Sequence, residues 1–502
     1  MSTRPQAAPG TTLRRQRGAA VLLMIITLIV ILTIVMAPRL TLWQARNAAS
    51  DRGYQTLMQA KAAILAHAAN PGADAVAGRR LGQISLTPDL PVTAGTTFTG
   101  VAGLTPGGKP GCATNTWVPG QALVDPDTNN PPPPHGTPLT VRCFGRIPWL
   151  SYGLEGPSTA DDEGGTVPWM FISANLVVGP FCLLNLNPLM LSSAFIAPGG
   201  CGTPVPFPWL RVVDDRGNLL SSEVAIVLIL PGPPVNAAQQ RTAPNDRSPA
   251  AYLEGLTVAA GCPAPCVPGT YNNAAYTVVN GTAWTFIDAP PSTALGPQPS
   301  YYQQPFAFND RLIYITASEY LEAMETHARL DALTTLSQFK SLHGFLPYSG
   351  DKATPSSPLD TSCTLNSRFG LLPAGTACSG PGPAPPAVNY PLWFTLGGWG
   401  NYFIYAVAAG CVASTAPPCI PSLKLGGPAT PSYSAILFSP GRAIQKAPFA
   451  VPKGAAQAPI VGGVSGTLAD FLDSNTNVNG PPFDAAGTAP TANYNDRMYG
   501  IP

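Results

Sequence analysis

A run of uncharged residues near the N-terminus limits what this chain can fold into more than any other feature. Residues 19–37 carry no charge and are mostly Leu, Ile, Val and Met. In a helix these nineteen residues would span about 29 Å, the thickness of a bilayer core. The basic residues before the run are Arg4, Arg14, Arg15 and Arg17. By the positive-inside rule, we expect the N-terminus to stay in the cytoplasm while the rest of the chain crosses the membrane.

The residues after the apolar run favour a longer stem over a removable signal peptide. A secretory signal has an apolar core of about 7–15 residues and small residues at its cleavage site. Here the run is longer, Pro38 follows it, and a helical pattern continues to Asn70-Pro71-Gly72. The apolar residues of that pattern are Tyr54, Leu57, Met58, Ile64, Leu65 and Ala68. We expect one helical rod of about 75 Å, softened at Pro38 and Gly53.

The stretch "RQRGAAVLL" is a basic leader that ends in Gly18, and the apolar segment begins immediately after it. This leader and the stem resemble those of the type IV pilin and pseudopilin superfamily. In that family a prepilin peptidase cuts after the glycine and methylates the new N-terminus. The resemblance therefore implies cleavage between Gly18 and Ala19. It also implies three partners, namely prepilin peptidase, the inner membrane, and other pilins or pseudopilins that contact the N-terminal helix.

Two positions depart from the pattern of major pilins. Residue 19 is Ala where Phe is usual, and residue 23 is Leu where major subunits carry a glutamate that pairs with a neighbour's N-terminal amine. Leu23 cannot form that ion pair. Within the resemblance, Ala19 and Leu23 therefore indicate a minor subunit or a filament-tip subunit rather than one that repeats along the shaft.

The chain also shows an internal duplication. Phe308-Asn309-Asp310-Arg311-Leu312 recurs as Tyr494-Asn495-Asp496-Arg497-Met498, and the features upstream of the two motifs recur in the same order. Each half has an amphipathic helix, a Phe-Gly dipeptide and two apolar runs. In the second half, Thr316 to Glu319 form a capping box and Gly344 ends the helix. We interpret Asn-Asp-Arg as a structural closing device, in which the arginine bridges to a carboxylate or a carbonyl.

These features predict an α+β fold. It would consist of a long N-terminal membrane-spanning helix, the pilin-like stem, followed by two related helix-plus-antiparallel-sheet modules. The 59 prolines and 50 glycines suit short strands joined by turns. The predicted domains are a leader (1–18), a membrane helix and amphipathic stem (19–69), a first pilin-like globular module (70–315) and a second, duplicated module (316–502).

All ten cysteines follow the apolar run, which indicates an oxidising compartment and disulfide bonds. The simplest pairing joins neighbours, such as Cys262 with Cys266 and Cys411 with Cys419, although sequence leaves the connectivity open. A zinc site at Cys262 and Cys266 is the alternative, but no second close pair of ligands completes it. The candidate disulfide cysteines are Cys112, Cys143, Cys182, Cys201, Cys262, Cys266, Cys363, Cys378, Cys411 and Cys419.

No motif in the chain predicts catalysis or a cofactor. The sequence contains no nucleophile elbow, Walker loop or dinucleotide fingerprint, and its four histidines are scattered. Its net charge of +1 offers no footprint for nucleic acid. Asp125, Asp127 and Asp473 lie in oxygen-rich turns that resemble calcium loops, but both turns lack a closing glutamate. We therefore predict no metal site and keep calcium as the alternative to ordinary Asx turns.

Together these observations predict a non-enzymatic prepilin-like protein. It would be a minor or tip subunit of a type IV pilus or a type II secretion pseudopilus, cut after Gly18. A single pass would hold it in the inner membrane, with its globular part in the periplasm or in an extracytoplasmic filament. The alternative is a membrane-tethered periplasmic binding module or enzyme that takes no part in filament assembly.

Overall fold

The computed structural model divides the chain into two compact units, Met1–Thr56 and Leu57–Pro502. Apart from the first four residues of the first helix, the architecture below is that of the second unit. The residues that the structure describes are 53–69, 88, 144–154, 167–173, 176, 209–232, 249–260, 264, 267–274, 284–289, 308–350, 367–373, 387–396, 399–412, 418–426, 430–441, 468, 472, 474–483 and 496–502. The leader and the apolar run 19–37 lie outside them.

The first helix, α1, covers residues 53–69. Its inner face is a stripe of apolar side chains at three- and four-residue steps, as an amphipathic helix requires. The buried residues of this stripe are Leu57, Ala60, Ile64 and Ala68. Met58, which the sequence pattern placed in the apolar stripe, is instead 41% exposed. A residue directly after Leu57 in a helix points about 100° away from it, which explains the difference.

A six-stranded sheet occupies the first half of the chain. The strands of this half are β1 (Phe144–Arg146), β2 (Trp169–Ile172), β3 (Leu210–Val213), β4 (Leu219–Leu230), β5 (Gly255–Val258), β6 (Gly269–Asn272), β7 (Thr285–Ile287) and β8 (Arg311–Thr316). The sheet order is β1-β2-β4-β3-β7, with β8 also paired to β4. The long strand β4 is central and is buried from Val224 to Ile229. β5 and β6 form a separate hairpin.

Helix α2 (Ala317–His343) follows β8 directly. The predicted capping box is confirmed, since Thr316 Oγ1 accepts a hydrogen bond from Glu319 N at 3.1 Å and Thr316 N donates to Glu319 Oε2 at 2.8 Å. Gly344 ends the helix with φ 75°, a left-handed conformation that favours glycine. Both ends of α2 are thus set by local sequence.

A four-stranded antiparallel sheet follows α2. The elements after α2 are β9 (Phe369–Leu371), α3 (Leu392–Leu396), β10 (Ile404–Val407), β11 (Leu423–Lys424), β12 (Ser432–Tyr433), β13 (Ala435–Ser439), α4 (Asn475–Asn479) and β14 (Arg497–Ile501). The sheet order is β14-β13-β10-β9, and β11 pairs separately with β12. Short 3-10 helices lie at Pro249–Ala251 and Trp399–Asn401.

The strands that carry the recurring sequence motifs pair in the same order in both large sheets. In the first sheet, β1, β2, β4 and β8 are neighbours with antiparallel pairing. In the second sheet, β9, β10, β13 and β14 are arranged in the same way. Each Phe-Gly dipeptide opens the first strand of its set, and each Asn-Asp-Arg motif leads into the last one.

The predicted fold class is nevertheless wrong. β3 and β7 pair in parallel, so the first sheet is mixed rather than antiparallel, and two further two-stranded sheets are present. One continuous hydrophobic core includes residues of both large sheets and of α1 and α2. Within the described ranges, no helix is both long enough and apolar enough to cross a membrane. The structure is a mixed fold of several sheets and helices, and the domain boundaries proposed from sequence stay a prediction.

The close approach of β9 to the chain after α2 leaves no room for a side chain at Gly370. A Cβ built on Gly370 would lie 2.1 Å from the carbonyl oxygen of Gly350, a backbone atom with little freedom to move. We expect Gly370→Ala to lower the free energy of unfolding by about 1–3 kcal/mol. Urea unfolding of the full chain in detergent measures this loss.

Gly400 is the matched control for this substitution. A Cβ added there meets nothing within 4 Å. We therefore expect Gly400→Ala to change stability by less than about 0.5 kcal/mol. Equal effects of the two substitutions would contradict the close contact at β9.

Candidate functional site

The first Asn-Asp-Arg motif closes the first sheet through reciprocal hydrogen bonds between two buried carboxyl groups and the backbone. Asp310 is buried just before β8, and its Oδ2 accepts a hydrogen bond from Glu254 N at 2.9 Å. Glu254 is buried as well, and its Oε2 accepts hydrogen bonds from Asn309 N at 3.2 Å and Asp310 N at 3.1 Å. The two carboxyl groups therefore fasten the loop before β5 to the start of β8.

This pair of carboxyl groups is electrostatically unusual. Burial raises the pKa of Asp310 well above its ordinary value, and the nearby carboxyl group of Glu254 raises it further. Asn273 lies beside the pair and bridges to the neighbouring strand, since its Nδ2 donates to Ile287 O at 3.1 Å and its Oδ1 accepts from Ile287 N at 2.9 Å. Asp310 therefore favours its protonated form, as expected of a buried group that stabilises structure.

A buried arginine lies against two aromatic rings. The guanidinium carbon of Arg146 lies 4.4 Å from the ring centroid of Trp169 and 4.2 Å from that of Tyr252, two residues before Glu254. Its Nη1 also donates to Val167 O at 2.5 Å. Arg146 is only 4% exposed, so the two rings offset part of the cost of burying its charge.

The second Asn-Asp-Arg motif fastens β14 to helix α2. Arg497 Nη2 lies 2.6 Å from Glu322 Oε1, and Asp496 is buried. About two turns further along α2, Arg329 Nη1 donates to the hydroxyl of Tyr499 at 2.6 Å and lies 4.2 Å from the centroid of its ring. An arginine that bridges to a carboxylate is the arrangement expected of a closing device.

A lysine attaches α1 to the junction of β8 and α2. Lys61 Nζ lies 2.7 Å from Glu319 Oε1 and donates to Tyr314 O at 2.9 Å. Partial burial opposes ionisation of Glu319, but its hydrogen bonds from Lys61 and Thr316 outweigh burial and lower its pKa. The same carboxylate therefore caps α2 and pairs with the helix that follows the apolar run.

The second predicted neighbour pair of cysteines forms a disulfide. Cys411 and Cys419 are bonded with their Cα atoms 4.2 Å apart. The sulfur of Cys419 lies 3.2 Å from Ser434 Oγ, and Lys340 Nζ donates to that hydroxyl at 2.8 Å. Lys340 and Ser434 both also bond to Pro502 O, which shows that this cluster anchors the last residue.

The remaining residues predicted from sequence lie outside the described ranges. They are Gly18, Ala19, Leu23, Asp125, Asp127, Asp473, Cys112, Cys143, Cys182, Cys201, Cys262, Cys266, Cys363 and Cys378. In the part of the chain that is described, no group of three or more His, Cys, Asp or Glu side chains is placed to hold a metal ion.

The sequence patterns did not identify Glu325, a buried acid that lies near Arg497 of the second Asn-Asp-Arg motif. Glu325 lies on the inner face of α2 and is 5% exposed. A signal was present, because it is four residues after Leu321 and three before Ala328, both of which are buried. A carboxyl group at such a position on an apolar stripe indicates a buried polar network.

Comparison with known proteins finds no relative. The chain matches no protein-family model, no curated protein and no solved structure. The likeness to pilins therefore rests on the leader and the stem alone, and function has to be argued from these residues and from the geometry above.

Proposed function

We propose that this chain is a prepilin-like minor or tip subunit of a type IV pilus or a type II secretion pseudopilus. The observation that carries the proposal is the sequence at the junction between the leader and the apolar run. Arginines crowd the residues before Gly18, and the nineteen residues from Ala19 are uncharged. Prepilin peptidase acts on such a join, whereas a simple anchor needs no glycine there.

The geometry of α1 supports this proposal. One face of its residues 57–69 is buried in the core, and Lys61 pairs with Glu319 at 2.7 Å. The segment after the apolar run is therefore attached to the folded body by both packing and charge. The opposite face exposes Met58, Gln59, Ala62 and Ala66. We propose that other pilins or pseudopilins pack against the N-terminal segment of which this helix is the continuation.

Residue 23 supports a position at the tip or in low copy number. Leu23 replaces the glutamate that pairs with a neighbour's N-terminal amine in major pilins. The first subunit of a filament has no preceding subunit to pair with, so it does not need that carboxylate. Loss of the ion pair is therefore compatible with assembly at the tip and unfavourable within a shaft.

The proposed location follows from the same features. The apolar run anchors the precursor in the inner membrane by a single pass, and the body lies in the periplasm or in an extracytoplasmic filament. The disulfide between Cys411 and Cys419 suits that compartment. In this role the body acts through binding rather than catalysis and has no nucleic-acid partner.

Mass spectrometry of the mature N-terminus tests the proposal. Protein extracted from cells that contain prepilin peptidase should begin at Ala19 and carry one N-terminal methyl group. An intact Met1 would contradict the proposal and favour a permanently tethered periplasmic protein. Cleavage near Ala37 would contradict it as well, because it would identify the apolar run as an export signal.

A further inference from the structure

A buried glutamate lies where α2, β14 and the chain after β13 meet. The carboxyl group of Glu325 accepts a hydrogen bond from the backbone of Gly441, and the residue is 5% exposed. Its Oε1 has no hydrogen-bond partner among the described residues. A buried carboxylate oxygen with no partner is costly when charged, so this site favours the protonated acid.

Ionisable side chains face Glu325 from each element around it. They are Glu322 and Arg329 of α2, Arg497 and Tyr499 of β14, and Tyr402 between the second 3-10 helix and β10. Asp496 completes the set through its effect on Tyr402. Two of these groups are cations, and both already have other partners. Arg497 pairs with Glu322 at 2.6 Å, and Arg329 donates to Tyr499 at 2.6 Å.

These contacts allow two arrangements that differ by one proton. With Glu325 neutral, Arg497 and Arg329 are free to hold β14 through Glu322 and Tyr499. With Glu325 charged, its carboxylate attracts the same two arginines and competes for them with Glu322 and Tyr499. We propose that Glu325 is a proton-controlled lock, which holds β14 on α2 while it is neutral and loosens that contact when it ionises.

The pKa of Glu325 is raised into the neutral pH range. Burial raises its pKa from 4.5 to about 7, Arg497 and Arg329 oppose the rise, and Glu322 adds to it. The folded protein therefore keeps a proton up to about pH 7 that the unfolded chain loses near pH 4.5. Since the unfolded state binds fewer protons in this window, stability falls as pH rises through it and levels off above it.

Hydrogen exchange in β14 tests the lock directly. The purified full chain in detergent is compared at about pH 5.5 and pH 8, with rates normalised to unstructured peptides. Between these two pH values, a pKa raised from 4.5 to about 7 corresponds to a change of up to about thirtyfold. We expect protection of the β14 amides to fall tenfold or more between these two conditions in the wild type. Glu325→Gln, which cannot ionise at this position, should show a much smaller fall.

Two comparisons distinguish the titration of Glu325 from the loss of the Arg497–Glu322 ion pair and from the titration of other buried acids. Glu322→Gln removes the partner of Arg497 but leaves Glu325 able to titrate, so the fall with pH should persist at a lower overall protection. Burial also raises the pKa of Asp288 and Asp310, but both groups are unchanged in Glu325→Gln and cancel in its comparison with the wild type. An equal fall in the wild type and in Glu325→Gln would overturn the proposal.

A measurement on the wild type covers the case in which Glu325→Gln fails to fold. Carbon NMR of the side-chain carboxyl groups follows the ionisation of Glu325 itself. A midpoint close to pH 7 supports the lock. A midpoint near the ordinary value of 4.5 would overturn it, because the group would then be charged throughout the physiological range.

Discussion

Replacing Gly18 with tryptophan is expected to leave the leader attached and to prevent the subunit from entering a filament. The proposed peptidase must bring the peptide bond after Gly18 into its catalytic site, and a bulky side chain there would block that approach. An uncut leader would also place charged residues at the start of the apolar run, where burial among neighbouring stems is costly. Intact mass should therefore show a chain that begins at Met1, and filament fractions should lack it.

Gly10 supplies the matched control. It is a second glycine of the same leader, eight residues before the proposed cleavage site. Gly10→Trp adds the same bulk without touching the cleaved bond, so processing to Ala19 should continue. Normal processing of the Gly18 variant would be evidence against a prepilin, and blocked processing of both variants would indicate a general effect on the leader.

Truncating Phe438 is expected to cost about 3–5 kcal/mol of unfolding free energy. This ring is fully buried in β13, with ring centroids 5.8 Å from Phe369 and 4.8 Å from Phe483. β13 pairs with β10 on one side and with β14 on the other, so neighbouring strands have little freedom to fill the cavity that Phe438→Ala creates. Urea unfolding of the full chain in detergent should show a large fall in midpoint.

Leu342 is the appropriate control for that truncation. It lies in the last turn of α2 and is 78% exposed, so its side chain buries little apolar surface. Leu342→Ala should change stability by less than about 0.5 kcal/mol. A loss below about 1 kcal/mol for Phe438→Ala would show that the ring is not part of a closely packed core.

Local features of the fold were accessible from sequence. The capping box at Thr316 and the stop at Gly344 predicted both ends of α2, because hydrogen bonds to side chains three residues away and left-handed glycine conformations are local. The apolar runs at 169–172 and 435–438 are likewise buried strands. Such signals identify elements, since they depend on neighbours along the chain.

The pairing of those elements was not accessible. The parallel contact between β3 and β7 joins residues far apart in sequence, and nothing in a three-residue strand such as Thr285–Ile287 specifies its partner. The prediction of purely antiparallel sheets failed there. The sequence pattern also placed Met58 on an apolar face, whereas the packing of α1 leaves it exposed.

In the candidate site too, the sequence identified the motifs but not their partners in the fold. Repetition marked both Asn-Asp-Arg motifs as closing devices, but sequence did not predict that Asp310 would meet Glu254 or that Arg497 would meet Glu322. Those partners lie 56 and 175 positions away. Glu325 stayed unnoticed because its helix would present an ordinary solvated carboxylate if no sheet covered it.

By itself, the sequence determined the charge pattern around Gly18, the apolar run, the ends of α2 and the repeated motifs. Each depends on residue types and short spacings. The tertiary structure alone decided which strands pair, which acids are buried and which arginines reach them. Burial and distance set the free energy of a charge, so the protonation of Glu325 is a property of the folded chain and not of its sequence neighbours.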